Sequence, residues 1–181
     1  KSREGVFCFD YDPSKEYVLP IGQPFNAKVI GGYDIINDDP DPMDDMGHGT
    51  HVAAIAAGDG ALKGVAPGAE ILAYKVLDSS GSGDFETVIA GIERAVDPNQ
   101  DGDFRDAADV INISLGGFGD PDDPLSRAVD GAVKAGAVVA VAAGNEGDFN
   151  NPPYGTVLSP GTARKALTIA AVDKMDRVAW F

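Results

Sequence analysis

The 181-residue sequence predicts an α/β domain with a doubly wound, mostly parallel central sheet flanked by helices. Two observations carry that prediction. Short apolar runs rich in Val, Ile and Ala recur along the chain, each bounded by Gly, Pro or Asp, as expected of strands buried on both faces. Helix-period patterns lie between several of them, and strand alternating with helix is the arrangement of a parallel sheet covered on both sides. No internal repeat or linker breaks the text, so residues 1–181 read as one domain, with 1–27 the least legible stretch.

Taken in order, Val6-Phe7-Cys8-Phe9 suits a strand, and Asp10-Tyr11-Asp12-Pro13 after it is turn-forming. Strands are expected at Lys28–Ile36, Glu70–Leu77, Asp109–Leu115, Ala137–Ala143 and Ala166–Val172. Val52–Ala57 is small and apolar, suiting a helix packed tightly between neighbours with His48 held at its first turn. Asp84 can cap a helix whose Val88, Ile89, Ile92 and Val96 share a face. Asp123-Pro124 starts another, in which Leu125, Ala128, Val129, Ala132 and Val133 follow the helical period and Gly136 supplies the stop.

Composition narrows the function classes. Lys and Arg number 14 against 29 Asp and Glu, a formal net charge of −15. That surface repels phosphate backbones, so no nucleic-acid partner is expected, while divalent cations are attracted. No apolar run approaches about 18 uncharged residues, so no membrane span is expected. The single Cys8 excludes an intrachain disulfide framework and any multi-cysteine metal site. The first residues lack a basic region followed by an apolar core, so a signal peptide is expected to be already removed or not included.

In open α/β sheets, ligands bind where strand-to-helix loops converge at the carboxyl ends of strands. Three such loops carry chemistry-bearing text. His48 lies in Met46-Gly47-His48-Gly49-Thr50-His51-Val52, where a fixed imidazole could act as general base. Two structural histidines are the plainer reading, and a metal pair would need carboxylates to complete its ligands. Asn145, after a strand of small residues and beside Gly144, could present an amide N–H to an oxyanion, or simply occupy a turn. Asn112-Ile113-Ser114-Leu115-Gly116-Gly117 runs a strand into glycines, exposing backbone to an extended peptide.

Together, His-Gly-Thr-His-Val at 48–52, Ile-Asn-Ile-Ser-Leu-Gly-Gly at 111–117 and Ala-Ala-Gly-Asn-Glu-Gly at 142–147 closely resemble the subtilisin-like serine proteases. Gly64-Val65-Ala66-Pro67 and Ser159-Pro160-Gly161-Thr162-Ala163 also recur in that family, and the resemblance extends from about Lys28 to Phe181. It implies a secreted serine endopeptidase that acts on polypeptides and needs no cofactor for its chemistry. His48 would be the general base of a Ser-His-Asp triad and Asn145 the oxyanion donor. Gly81, Ser82 and Gly83, with Ser114, Leu115 and Gly116, would form the two backbone edges that grip substrate. Ala142, Ala143, Gly144 and Glu146 would help line the pocket for the residue before the cut, and His51 would be structural.

The chain departs from the family pattern in two places. The nucleophile motif, Gly-Thr-Ser followed by Met-Ala, does not occur after Asn145, and Ser159 before Pro160 does not match it. The triad Asp normally precedes Thr-Gly or Ser-Gly, whereas the candidate Asp10 precedes Tyr11-Asp12-Pro13. The expectation is therefore part of a peptidase domain that is inactive alone, with a propeptide or the remaining part of the domain as partner. A catalytically dead peptide-binding relative and an acidic calcium-binding structural domain are the alternatives.

One constellation is independent of the triad. Asp97, Asn99, Asp101, Gly102 and Asp103 match the start of an EF-hand-type calcium loop. Position twelve is Ala108, so Asp106 or Asp109 would have to close the shell around a structural calcium. A merely solvated acidic turn is the other reading. The run Asp38, Asp39, Asp41, Asp44, Asp45 has no such spacing and reads as a solvated loop before His48.

Overall fold

The computed structural model describes residues 28–147, 155–179 and 181 with their side chains, and residues 6–9 as backbone. Six strands, β1 (Val6–Phe9), β2 (Val29–Asp34), β3 (Ile71–Lys75), β4 (Val110–Ile113), β5 (Val138–Ala142) and β6 (Leu167–Ile169), form one sheet in the order β2-β3-β1-β4-β5-β6. Each lies within a run expected to be a strand. Parallel pairing joins β2 to β3, β4 to β5 and β5 to β6. β1 enters between β3 and β4 antiparallel to both, so the sheet is mostly rather than wholly parallel.

Three helices, α1 (His48–Ala57), α2 (Phe85–Val96) and α3 (Pro124–Ala135), accompany it. The starts of α2 and α3 follow from their caps. The Asp84 side chain accepts from the Thr87 N–H, and Asp123 accepts from the Ser126 N–H with Pro124 in the first turn. Their apolar stripes, Val88 and Ile92 on α2 and Leu125 and Val129 on α3, pack with Leu72, Tyr74, Ile111, Ile113, Val139 and Val141 in the main core. Each such fully buried aliphatic side chain contributes about 1.5–3 kcal/mol relative to exposure.

Successive strand residues face opposite sides of a sheet. Ile71, next to Leu72, accordingly belongs to a second, smaller cluster with Ala57, Val52 and Ala53 of α1. The sheet is thus covered by α2 and α3 on one face and by α1 on the other. The expectation that α1 is packed tightly between neighbours is corrected here. Only Gly49 and Ala57 of that helix are buried, and Ile55 is 58% exposed. The reason is that no element among the described residues lies over its outer face. β6 is similarly open, with Leu167 and Ile169 more than half exposed.

Candidate active site

His48 opens α1, and the loop before it fixes where the helix begins. Gly47 adopts a left-handed conformation (φ 95°) and its side-chain-free position provides no cap. Asp44 does that work instead. One carboxylate oxygen accepts the N–H groups of Gly47 (2.8 Å) and Met46 (2.9 Å), and the other accepts the N–H and hydroxyl of Thr50, both at 2.7 Å. Partial burial alone would raise the Asp44 pKa, but hydrogen bonds from Gly47, Thr50 and Met46 outweigh it and lower it to about 2.

The neighbouring acids are also engaged. The Lys75 ammonium, at the carboxyl end of β3, lies 2.9 Å from Asp34 and 3.1 Å from Asp45. Asp34 additionally accepts the N–H groups of Ile36 and Asn37 and the Asn37 amide. Burial opposes its ionisation, yet the Lys75 and Asn37 contacts hold its carboxyl below the ordinary range. Burial likewise opposes the charge on Lys75, and the bonds to Asp34 and Asp45 raise its pKa on balance. The reading of residues 38–45 as a solvated acidic loop is therefore corrected for Asp44 and Asp45. These two tie the loop to α1 and β3 because their carboxylates meet donors that the folded chain supplies.

A small cavity of about 50 Å³ lies between Asp44, Met46 and Gly49 on one side and Lys75–Asp78 on the other. This places the start of α1 beside the residues that leave β3. A larger cavity of about 310 Å³ opens beyond the carboxyl ends of β4 and β5, where Asn112, Ser114, Ala142, Ala143, Gly144 and Asn145 line it. The Asn112 amide donates to the Ser114 hydroxyl at 3.0 Å. Gly144 is required twice over: its φ is +106°, and a β-carbon there would lie 2.7 Å from Leu158 Cγ. β3, beside which α1 starts, and β5, which Asn145 follows, are three strand spacings apart, about 14 Å.

The predicted substrate edges lie in the segments that follow β3 and β4. Phe85 Cε1 would lie 3.4 Å from a β-carbon at Gly117, which brings the start of α2 beside the end of the second segment. Within the first segment, the Gly81 N–H donates to the Asp78 carbonyl and the Asp78 N–H to the Ser82 carbonyl, each at 2.9 Å. Leu115 is buried in the core, and Gly116 is pressed against Leu158. Glu146, expected at the pocket rim, is not among the described residues that line the larger cavity. His51 is exposed, and its N–H donates to the Gly47 carbonyl. Asp10 lies outside the described residues. Phe9 before it pairs with Ile71 and Val110, at the amino ends of β3 and β4. Ser159 is fully buried and shares a hydrogen bond with Ser126 at 3.2 Å, so it serves the core. The Asp97–Asp106 loop joins α2 to the amino end of β4, at the opposite end of the sheet from Asn145.

The model of the subtilase family matches residues 19–181. The chain belongs to the subtilase family. It is 45% identical over 152 residues to the minor extracellular protease Vpr of Bacillus subtilis (strain 168), covering 78% of this chain and 17% of that protein. Thermitase of Thermoactinomyces vulgaris is 39% identical over 159 residues, 86% of this chain and 52% of its own length. The crystal structure of a cold adapted subtilisin-like serine proteinase superposes with a TM-score of 0.70 at 33% identity, over 85% of this chain and 51% of that one. By name, Vpr is an extracellular protease and the structural neighbour a serine proteinase. The chain spans about half the length of thermitase and of the structural neighbour, and less of Vpr.

Sequence reasoning missed Asp44 and the Asp34–Lys75–Asp45 group. A signal for the first was present, since Asp44 stands six residues before Thr50 and four before His48, within reach of an unfilled helix start. The second pairs residues 41 apart in sequence, and only the β2–β3 register brings them together.

Proposed function

We propose that this chain supplies the base and oxyanion sides of a secreted serine endopeptidase. His48 takes a proton from a serine hydroxyl as that oxygen attacks the peptide carbonyl, and later delivers it to the leaving amine. The Asn145 amide donates to the oxygen that becomes negative in the tetrahedral intermediate. Ser114–Gly116 and Gly81–Gly83 hold the substrate as an added strand on either side. The nucleophile comes from outside these 181 residues, since the family's Gly-Thr-Ser-Met-Ala text does not occur in them.

The observation that supports this reading is the cavity at the carboxyl ends of β4 and β5 that both Ser114 and Asn145 line, in a chain of the subtilase family. The test is labelling of the full-length protein by a fluorophosphonate that reacts with activated serines. Labelling that is lost in His48→Ala supports the reading. Labelling unchanged in that variant, or none in the parent under conditions where it folds, contradicts it.

A further inference from the structure

Ser126 and Ser159 are both fully buried, and neither hydroxyl takes part in peptide hydrolysis as described above. Ser126 stands in the first turn of α3, where its N–H donates to the Asp123 carboxylate at 2.7 Å. Its hydroxyl shares hydrogen bonds with the hydroxyls of Ser159 at 3.2 Å and Thr162 at 2.9 Å. A buried hydroxyl is costly unless it is paired, so this cluster joins α3 to the segment 158–162 at a defined point.

The segment anchored in this way is bonded to the chain after β4 and to the chain after β5. The Gly117 N–H donates to the Ser159 carbonyl at 2.9 Å, and the Ser159 N–H donates to the Gly117 carbonyl at 2.8 Å. One residue earlier, the Leu158 N–H donates to the Ala143 carbonyl at 2.9 Å. The fit against the loop leaving β4 is too close for side chains. A β-carbon at Gly116 would lie 2.9 Å from Leu158 Cβ, and one at Gly119 would lie 2.7 Å from Ser159 Cβ. Two residues, Leu158 and Ser159, therefore tie Gly117, which follows the edge Ser114–Gly116, to Ala143, which stands two residues before Asn145.

We propose that Ser126 is a positioning residue for substrate binding, acting through Ser159 on the edge Ser114–Gly116. The proposal rests on the reading of that edge as one to which an extended peptide adds as a strand. Strand addition gains most when the N–H and carbonyl groups of the edge are held in place before the peptide arrives. Gly116, Gly117 and Gly119 leave this stretch with more backbone freedom than side chains would allow, so its order depends on support from elsewhere. Ser159 supplies that support through two backbone bonds, and Ser126 fixes Ser159 to a helix whose Leu125 and Val129 are set in the core. Removing the Ser126 hydroxyl takes from the buried Ser159 hydroxyl its partner on α3, and the 158–159 segment loses its single seat. Only the molecules with the edge in place then bind an extended peptide, and apparent affinity falls by that fraction. A ligand too short to reach the edge is unaffected.

The experiment uses the full-length protein in a His48→Ala background, so that binding is read without cleavage. A failure of the proposed hydrolysis is then a separate result, seen only when His48 is restored. Two probes are titrated by NMR: the capped tetrapeptide acetyl-Ala-Ala-Ala-Phe amide, which spans the edge, and acetyl-Phe amide, which does not. Ser126→Ala should raise the tetrapeptide Kd roughly five- to tenfold, the loss of one buried hydrogen bond, and leave that of acetyl-Phe amide within about twofold. Ser159→Ala should match it, and the double variant should be no weaker than either single one, because both remove the same bond. Val129→Ala, a cavity in the same helix away from the hydroxyls, should lower the melting temperature at least as far and leave the tetrapeptide Kd within about twofold. A tetrapeptide Kd unchanged in Ser126→Ala overturns the proposal, as does equal weakening of both probes or additive losses in the double variant. Weakening by Val129→Ala as large as that by Ser126→Ala also overturns it, since the hydroxyl would then act only through stability. No tetrapeptide binding to the His48→Ala protein itself overturns it together with the reading of the edge.

Discussion

Asp44 Oδ2 accepts both the backbone N–H and the hydroxyl of Thr50, each at 2.7 Å, and so closes the first turn of the helix that begins with His48. One carboxylate thereby fixes the start of the helix that carries the candidate general base. Asp44→Ala should cost about 1–2 kcal/mol, in line with loss of a multiply bonded helix cap. Thr50→Val, which keeps the N–H and removes the hydroxyl, should cost about half as much. Thermal unfolding of both variants checks the order, and equal stability of all three proteins would contradict it.

The same contacts set an acid limit. The Asp44 pKa falls from 3.8 to about 2 in the folded protein, so its stabilisation is complete above pH 3.8 and lost as pH drops through about 2. Asp34, also held below its ordinary value, acts with the same sign. The stability difference between parent and Asp44→Asn should therefore be constant near neutrality and shrink between about pH 4 and 2. Denaturant unfolding across that range measures it, and a difference that grows on acidification would contradict the assignment.

Lys75 and Asp34 form an ion pair at 2.9 Å with side chains only 10% and 3% exposed. Removing one partner leaves the other charge buried, which typically costs about 3–5 kcal/mol. Lys75→Met should fall in that range. The double variant Lys75→Met, Asp34→Asn should recover part of the loss, and denaturant melts of the two give the comparison.

Gly144 precedes the proposed oxyanion donor with a φ of +106° and no room for a β-carbon against Leu158. Gly144→Ala should destabilise the protein by more than 1 kcal/mol and displace Asn145. A second substitution, Leu158→Ala, removes the steric part but not the backbone strain. It should restore only some of the activity in a peptide-hydrolysis assay.

Much of the architecture was legible because it depends on local patterning. Asp84 and Asp123 cap the helices they were expected to cap, and the apolar runs after Lys28 became strands because each is bounded by residues that end them. The antiparallel entry of β1 was not legible: Val6–Phe9 has no alternation or turn signal that specifies direction, and its place depends on the gap between β3 and β4. That Ser114 and Asn145 lie in loops at the carboxyl ends of strands was legible because short contiguous motifs carry them. Asp44 was hidden in an acidic run whose members look alike until the fold supplies donors to some of them. The exposure of Ile55 was also unforeseen, since its small, apolar helix reads as core whether or not anything covers it.

The most direct test of the central claim is the kcat of Asn145→Ala in the full-length protein, measured on a peptide substrate beside the parent. An amide that donates only to the developing oxyanion lowers kcat and leaves KM nearly unchanged. Subtilisin's own oxyanion asparagine contributes about 10²–10³ in kcat, and that family figure is carried over to this chain. A loss of that size with KM within about threefold of the parent is the predicted result. A kcat equal to the parent's, in a protein that folds normally, would remove Asn145 from the mechanism and contradict the account.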